Sequence, residues 1–198
     1  MSIFKYGEKE IKYLKEQDEK LGKVIDRIGM IEREINPCGF SELVRCIISQ
    51  QISDKASETV TNRFCELVDV ISAENIGNVT AEEIQKCGMS NRKAGYIKGI
   101  AQSVLNGDIN FSELDELNDR EVIKKLVKLN GVGEWTAEML LIFSYNRMNI
   151  LSYKDLAIRR GIMNLYGHEE LTKEMFDKYK ERYAPYGSVA SLYLWKIS

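Results

Sequence analysis

Apolar residues recur at helical spacing along most of the chain, and no stretch alternates long enough to read as a convincing strand. Between Ile3 and Arg33, the positions of Ile11, Leu14, Leu21, Val24, Ile25 and Ile28 predict one or two amphipathic helices ending near Gly29. Phe40, Leu43, Val44, Ile47 and Ile48 mark the face of a buried helix over Phe40 to Gln50. Gln50-Gln51-Ile52-Ser53 interrupts it, and helical spacing resumes from Asp54 to Val68 with Ser53 or Asp54 placed to cap. Short helices follow around Ile71 to Gly77 and Ala81 to Cys87. Gly88-Met89-Ser90 then reads as a turn with a capping serine, opening a helix over Arg92 to Leu105 that ends at Asn106-Gly107. Ser112 is expected to cap a segment through Leu117, and a further helix starts near Arg120.

The second half contains the least ordinary stretch. Ile123, Leu126, Val127 and Leu129 fit one helix face, and Trp135, Ala137, Met139, Leu140 and Phe143 fit another. Between them, Asn130-Gly131-Val132-Gly133 breaks the pattern with two glycines around one branched residue. Glycine tolerates positive φ and close backbone approach, so the unit reads as helix, tight turn, helix. Such a turn aims backbone amides outward at the positive end of the helix dipole, where a phosphate can bind; an ordinary turn between packed helices is the plainer reading. After the loop Asn146 to Ser152, Asp155 precedes a helix over Leu156 to Tyr166 that stops at Gly167. Asp155 reads as a helix cap or as a functional acid. Leu171 to Tyr179 predicts another helix. The last segment, Tyr186 to Ile197, carries Val189, Leu192, Tyr193 and Trp195 and is expected to pack back on the body. The class is all-α.

Composition narrows the function classes. The 198 residues are 44% apolar and 29% charged, as in a soluble globular domain. No apolar run approaches the ~20 residues that cross a bilayer, and the first residues lack a signal-peptide core, so a cytoplasmic, intracellular protein is expected. Net charge is −2, against a general basic footprint for nucleic acid, although Arg92-Lys93, Lys124-Lys125-Lys128 and Arg159-Arg160 form local basic candidates. Weak, salt-sensitive affinity for undamaged DNA is the expectation. Cys38, Cys46, Cys65 and Cys87 have no CxxC spacing and read as reduced thiols. His168, the single histidine, sits just past a helix end, a better place for a C-cap interaction than for a general base.

LNGVGEWTAEMLL followed by KDLAIRRG resembles the helix-hairpin-helix (HhH-GPD) DNA glycosylase superfamily, most closely its 3-methyladenine DNA glycosylase II branch. FSELVRCIISQQISDKASETVTNRF, CGMSNRKAGYIKGIAQSV and YAPYGSVASLYLWKIS are similar to further blocks in the family's order, so the resemblance covers most of the chain from about Phe40. It implies a single two-lobed domain spanning residues 1–198. One lobe would comprise roughly 1–33 with 146–198, and the other roughly 34–145 including the hairpin over 122–145. It implies a glycosylase of base excision repair acting as a monomer on double-stranded DNA with a damaged base, near the nucleoid and not at a membrane.

The resemblance also assigns roles. Asp155 becomes the acid that stabilises an oxocarbenium-like sugar and orients or deprotonates water, at a helix N-terminus that favours negative charge. Gly131, Gly133 and Thr136 would grip the backbone, with Arg92 and Lys93 as further DNA contacts. Gln51, with Gln50 beside it, would fill the gap left by the extruded base, against a reading in which both amides bond to local backbone. Trp135, Met139 and Trp195 would line an aromatic, electron-rich base pocket, against a core reading of the two tryptophans. Where bifunctional relatives carry a lysine nucleophile this chain has Trp135, so hydrolysis without strand cleavage follows. No cofactor is implied beyond a monovalent cation, sodium or potassium, on the main-chain carbonyls of Val127, Leu129 and Val132. With no cysteine after Cys87, an iron–sulfur cluster is not expected. Asn130 and Gly187 depart from the family's proline and arginine. The rivals are the same fold acting on uracil, hypoxanthine or oxidised purines, and a non-catalytic DNA-binding module.

Overall fold

The computed structural model describes residues 2–198. In chain order the elements are β1 (Ser2–Ile3), α1 (Glu8–Gln17), α2 (Glu19–Ile28), β2 (Glu34–Ile35), α3 (Gly39–Ser49), α4 (Asp54–Val68), α5 (Ala73–Gly77), α6 (Ala81–Lys86), α7 (Asn91–Leu105), a 3-10 turn (Phe111–Glu116), α8 (Asp119–Leu126), α9 (Glu134–Phe143), α10 (Leu156–Tyr166), α11 (Lys173–Tyr183) and α12 (Gly187–Lys196). The two strands pair antiparallel, Ser2 opposite Ile35, and the other elements are helical. The chain folds as two compact units: the residues up to Ile35 together with Leu141–Ser198, and Asn36–Leu140.

The second unit packs α5 and α6 against α7, and α3 against α4 and α7. Leu43, Ile47, Ile48, Phe64, Ile76, Ile84, Ile97 and Leu126 are fully buried there. Polar caps start α4 to α8. Ser53, Ser72, Thr80, Ser90 and Asn118 each accept from a first-turn amide. Lys98 donates to the carbonyls of Ile76, Gly77 and Val79 at 3.0, 3.0 and 2.6 Å, satisfying the orphan acceptors that close α5. The 3-10 turn is capped by Asn110 and not by Ser112, whose own amide donates to the Asn110 carboxamide.

In the first unit α12 lies against α10, α2 and α11, and is buried on nearly every side. Its approach to α10 is close enough to require glycine: a Cβ on Gly161 would lie 2.3 Å from the Leu194 carbonyl oxygen. α11 runs to Tyr183, past the expected end at Tyr179, because Phe176, Tyr179 and Tyr183 continue one buried face. It also starts later, since Thr172 caps it through the Met175 amide. The inter-unit break falls within α9, earlier along the chain than residue 145. Its physical reason is that the end of α9 joins the first unit, where the Phe143 ring stacks on Trp195 at 5.7 Å.

A polar knot ties three parts of the first unit. Asp18, 4% exposed, ends α1 and caps α2, accepting from the Leu21 amide at 2.9 Å. The Tyr166 hydroxyl of α10 donates to its carboxylate, as does Arg182 of α11 at 2.7 Å. Tyr183 completes the chain at 2.7 Å from the Tyr166 hydroxyl. Burial opposes the charge on Asp18, but the Leu21 amide, Tyr166 and Arg182 outweigh it and hold the carboxyl below its ordinary 3.8. Burial likewise drives the Tyr166 hydroxyl well above its ordinary range, so it stays a donor.

Gly161→Ala should lose roughly 1–3 kcal/mol in urea melts because the new methyl meets backbone. Gly95→Ala, at a helical site with nothing within 4 Å of the added carbon, should gain roughly 0.5–1 kcal/mol. Because the Asp18 carboxyl is depressed in the folded state, its contribution is complete above the ordinary value of 3.8 and drains as pH falls below it. Asp18→Asn should therefore cost roughly 1.5–3 kcal/mol at pH 7 and flatten the acid limb of thermal stability between pH 5 and 2.

Candidate functional site

The hairpin belongs to the second unit. α8 ends at Leu126, with Val127 as its C-cap; the Leu129 amide then donates to the Leu126 carbonyl at 3.0 Å and the Val132 amide to the Leu129 carbonyl at 3.1 Å. Gly131 takes φ +86°, and a Cβ there would lie 2.2 Å from the Tyr96 ring of α7. Glycine is needed on both counts. Gly133 is exposed with open space around it, and its carbonyl accepts from Ala137 to begin α9. The first-turn amides of α9 thus lie at the positive end of a helix beside an unobstructed glycine. Of the carbonyls expected to hold a cation, Val127 is the C-cap of α8, Leu129 already accepts from the Val132 amide, and Val132 lies just before α9.

The structure separates the two glutamines. Gln50 donates to the Gly131 carbonyl at 3.1 Å and to the Thr136 hydroxyl at 3.4 Å, stapling the α3–α4 loop to the hairpin. Gln51 is exposed at φ +57°, beside Ile52 at 39% exposure. Thr136 is 3% exposed, and its hydroxyl accepts from Gln50. Lys93 also turns inward: its ammonium donates to the Ile48 carbonyl at 2.7 Å, and burial holds it below its ordinary value. It closes α3, whereas Arg92 next to it stays exposed. Met139 is buried, 4% exposed. Trp135, at 37%, is not core.

Asp155 belongs to the first unit. It is 6% exposed, it caps α10 through its Oδ1 on the Ile158 amide at 2.9 Å, and its own amide donates to Ser152. Cap and functional candidate are therefore the same group. Lys154 beside it is exposed. Trp195 is half-buried, stacked on Phe143 at 28°, and the Arg33 guanidinium lies 4.7 Å from the Phe143 ring centre.

The residues that fix Asp155 were not singled out from the pattern alone. Ser188 of α12 accepts from the Ile150 amide at 2.9 Å and donates to the Arg147 carbonyl at 2.5 Å. Ser191 donates to the Ile150 carbonyl at 3.1 Å. These two buried serines pin the loop that runs into Asp155. The signal was present as two small polar residues three apart in the apolar run of α12. Gly187 makes room for the same loop, since a Cβ there would lie 3.2 Å from Asn149 and 3.4 Å from Ile150 and Leu151.

Other nucleophiles are poorly placed. Burial pushes the Cys46 thiol up to about 12, with Glu42 adding to it. His168 bonds Tyr179 at 2.6 Å and stacks on Tyr166, while its amide joins the Gly167 cap of α10. Among the described residues no helix is long and apolar enough to cross a membrane.

Known proteins agree with this architecture. The model of the HhH-GPD superfamily base excision DNA repair proteins matches residues 44–185. DNA-3-methyladenine glycosylase 1 of Schizosaccharomyces pombe is 36% identical over 164 residues, covering 80% of this chain and 72% of that protein. A crystal structure of a DNA-3-methyladenine glycosidase from Bacillus halodurans superposes with TM-score 0.87 at 35% identity, covering 99% of this chain and 92% of that one. The Schizosaccharomyces pombe 3-methyladenine DNA glycosylase in complex with abasic DNA superposes with TM-score 0.85 at 32% identity, covering 95% of each chain. A helical chain with a glycine hairpin and a capping acid, matched by the family's model across more than half its length, belongs to the HhH-GPD superfamily of base excision DNA repair proteins.

Proposed function

We propose that this protein is a monofunctional DNA glycosylase that hydrolyses the N-glycosidic bond of alkylated, cationic purines such as 3-methyladenine in double-stranded DNA. The observation that carries the reading is Asp155, a carboxylate 6% exposed and fixed on the N-terminus of α10 by the Ile158 amide. Relatives at 36% and 35% identity whose names specify 3-methyladenine chemistry support the substrate class.

The chemistry asks little of the protein. Alkylation leaves the purine cationic, so the C1′–N bond breaks with its electron pair passing to the base, which departs neutral. Positive charge grows on the sugar, and a fixed carboxylate stabilises it without reorganising. Water adds to C1′ and gives its proton to Asp155. With an already activated leaving group, a separate general acid is unnecessary. Trp135 stands where a lysine nucleophile would be needed for strand cleavage, so the product is an intact strand with an abasic site. An exposed Trp135 offers a π face to a cationic base, a contact worth roughly 0.5–2 kcal/mol.

DNA handling divides among the remaining residues. The hairpin amides near Gly131 and Gly133 take a phosphate, and Gln51 fills the place of the extruded base while Gln50 holds the loop that carries it. A monovalent cation on Val127, Leu129 and Val132 would add positive charge on the phosphate side of the hairpin. The protein acts as a monomer.

The test is base release from duplexes carrying methylated purines, uracil, hypoxanthine or oxidised purines. Release from methylated purines is expected, with strand breaks that appear after heat or alkali. Asp155→Asn should lower single-turnover release by roughly 10²–10³-fold while still binding abasic DNA. Breaks without heat or alkali would overturn the hydrolytic reading. Equal inactivity of both proteins on every lesion would favour a binding module.

A further inference from the structure

One helical turn beyond Asp155, α10 carries a cation with no ion pair among the described residues. The Arg159 side chain is half-buried, its guanidinium carbon sits 4.8 Å from the centre of the Tyr153 ring, and its Nε is buried with no acceptor among the described residues. The seat is firm, because Tyr153 is held edge-on against Phe176 at 5.2 Å and 73°. Lys173 reaches the same ring at 5.3 Å, but its charge is paired with Asp177. Arg159 has no such pair. Its neighbours Lys154 and Arg160 are exposed and add positive charge, and the Asp155 Oδ1 one turn back accepts from the Ile158 amide.

Buried donors have partners as a rule, and a half-buried arginine whose Nε has none keeps its charge free for an anion met at the outer nitrogens of its fork. A guanidinium laid on an aromatic face keeps its planar fork oriented, and that fork matches the paired oxygens of a phosphate. We propose that Arg159, seated on Tyr153, grips a phosphate of the DNA strand on the helix that presents Asp155 to the sugar. The proposal rests on the glycosylase reading above for its ligand. Such a contact positions the strand without reading its sequence.

The experiment measures binding of wild type, Arg159→Gln and Arg159→Lys to a duplex with a tetrahydrofuran abasic analogue from 50 to 200 mM NaCl. Base release from a methylated duplex is measured in parallel. Each phosphate contact contributes about 0.9 to the slope of log K against log salt. Arg159→Gln should lose about 0.9 of slope, so its deficit against wild type shrinks about 3.5-fold over that range, while Arg159→Lys keeps most of the slope. Equal slopes for wild type and Arg159→Gln would overturn the proposal, since lost packing alone does not change the number of ions released. If Arg159→Gln does not fold, Tyr153→Leu decides: weaker binding at unchanged Tm supports the grip, and unchanged binding overturns it. A wild type that releases no base, with the slope still lost in Arg159→Gln, would sink the glycosylase reading and leave the phosphate grip standing.

Discussion

The proposed hydrolysis depends on one carboxylate, that of Asp155, being unable to move. Asp155 is bound to the amide three residues ahead, so turning its Oδ1 away from that position would strand a donor at the start of α10. The macrodipole of that helix also favours the negative charge there. A group that must meet positive charge growing on a sugar works best when it is already aimed, because then no free energy goes into reorganising it during reaction. A capping interaction worth about 1 kcal/mol to the helix is thereby also the device that aims the acid.

The rest of the first unit supports that fixation. Ser188 and Ser191 hold the loop on its approach to Asp155, and Gly187 lets it lie directly on α12. Gly161 brings α10 itself against the Leu194 backbone, so loop and helix are both located by α12. In the second unit an equivalent economy serves the hairpin. Gly131 fits a space that a methyl would close, and Gln50 joins the hairpin to the loop that exposes Gln51. One glutamine is a strut, and its neighbour is left outward.

Much of this was legible in the residues. Helical spacing, capping serines and the glycine pair place most elements to within a residue or two, because those signals act over a single turn of chain. The resemblance supplied the family, and Asp155 could be placed at a helix start from the polar residue before Leu156. What the pattern left open were choices decided by distant contacts. Which of Gln50 and Gln51 turns inward depends on a carbonyl 81 positions away. A lysine beside an arginine is a basic patch in one dimension; in three, the Lys93 ammonium closes α3 through the Ile48 carbonyl. Thr136 and Met139 share a helix with Trp135, yet the two are buried and the tryptophan is not. A helix with apolar residues on nearly every side does not announce which of them faces outward.

The central claim is that Asp155 meets positive charge at the sugar. It is tested most directly by comparing affinities for two abasic analogues of one shape, a cationic pyrrolidine and a neutral tetrahydrofuran, in wild type and Asp155→Asn. Wild type should prefer the cationic duplex by tenfold or more, about 1.4 kcal/mol, and Asp155→Asn should bind the two alike. A preference that survives the substitution unchanged would contradict the role given to Asp155.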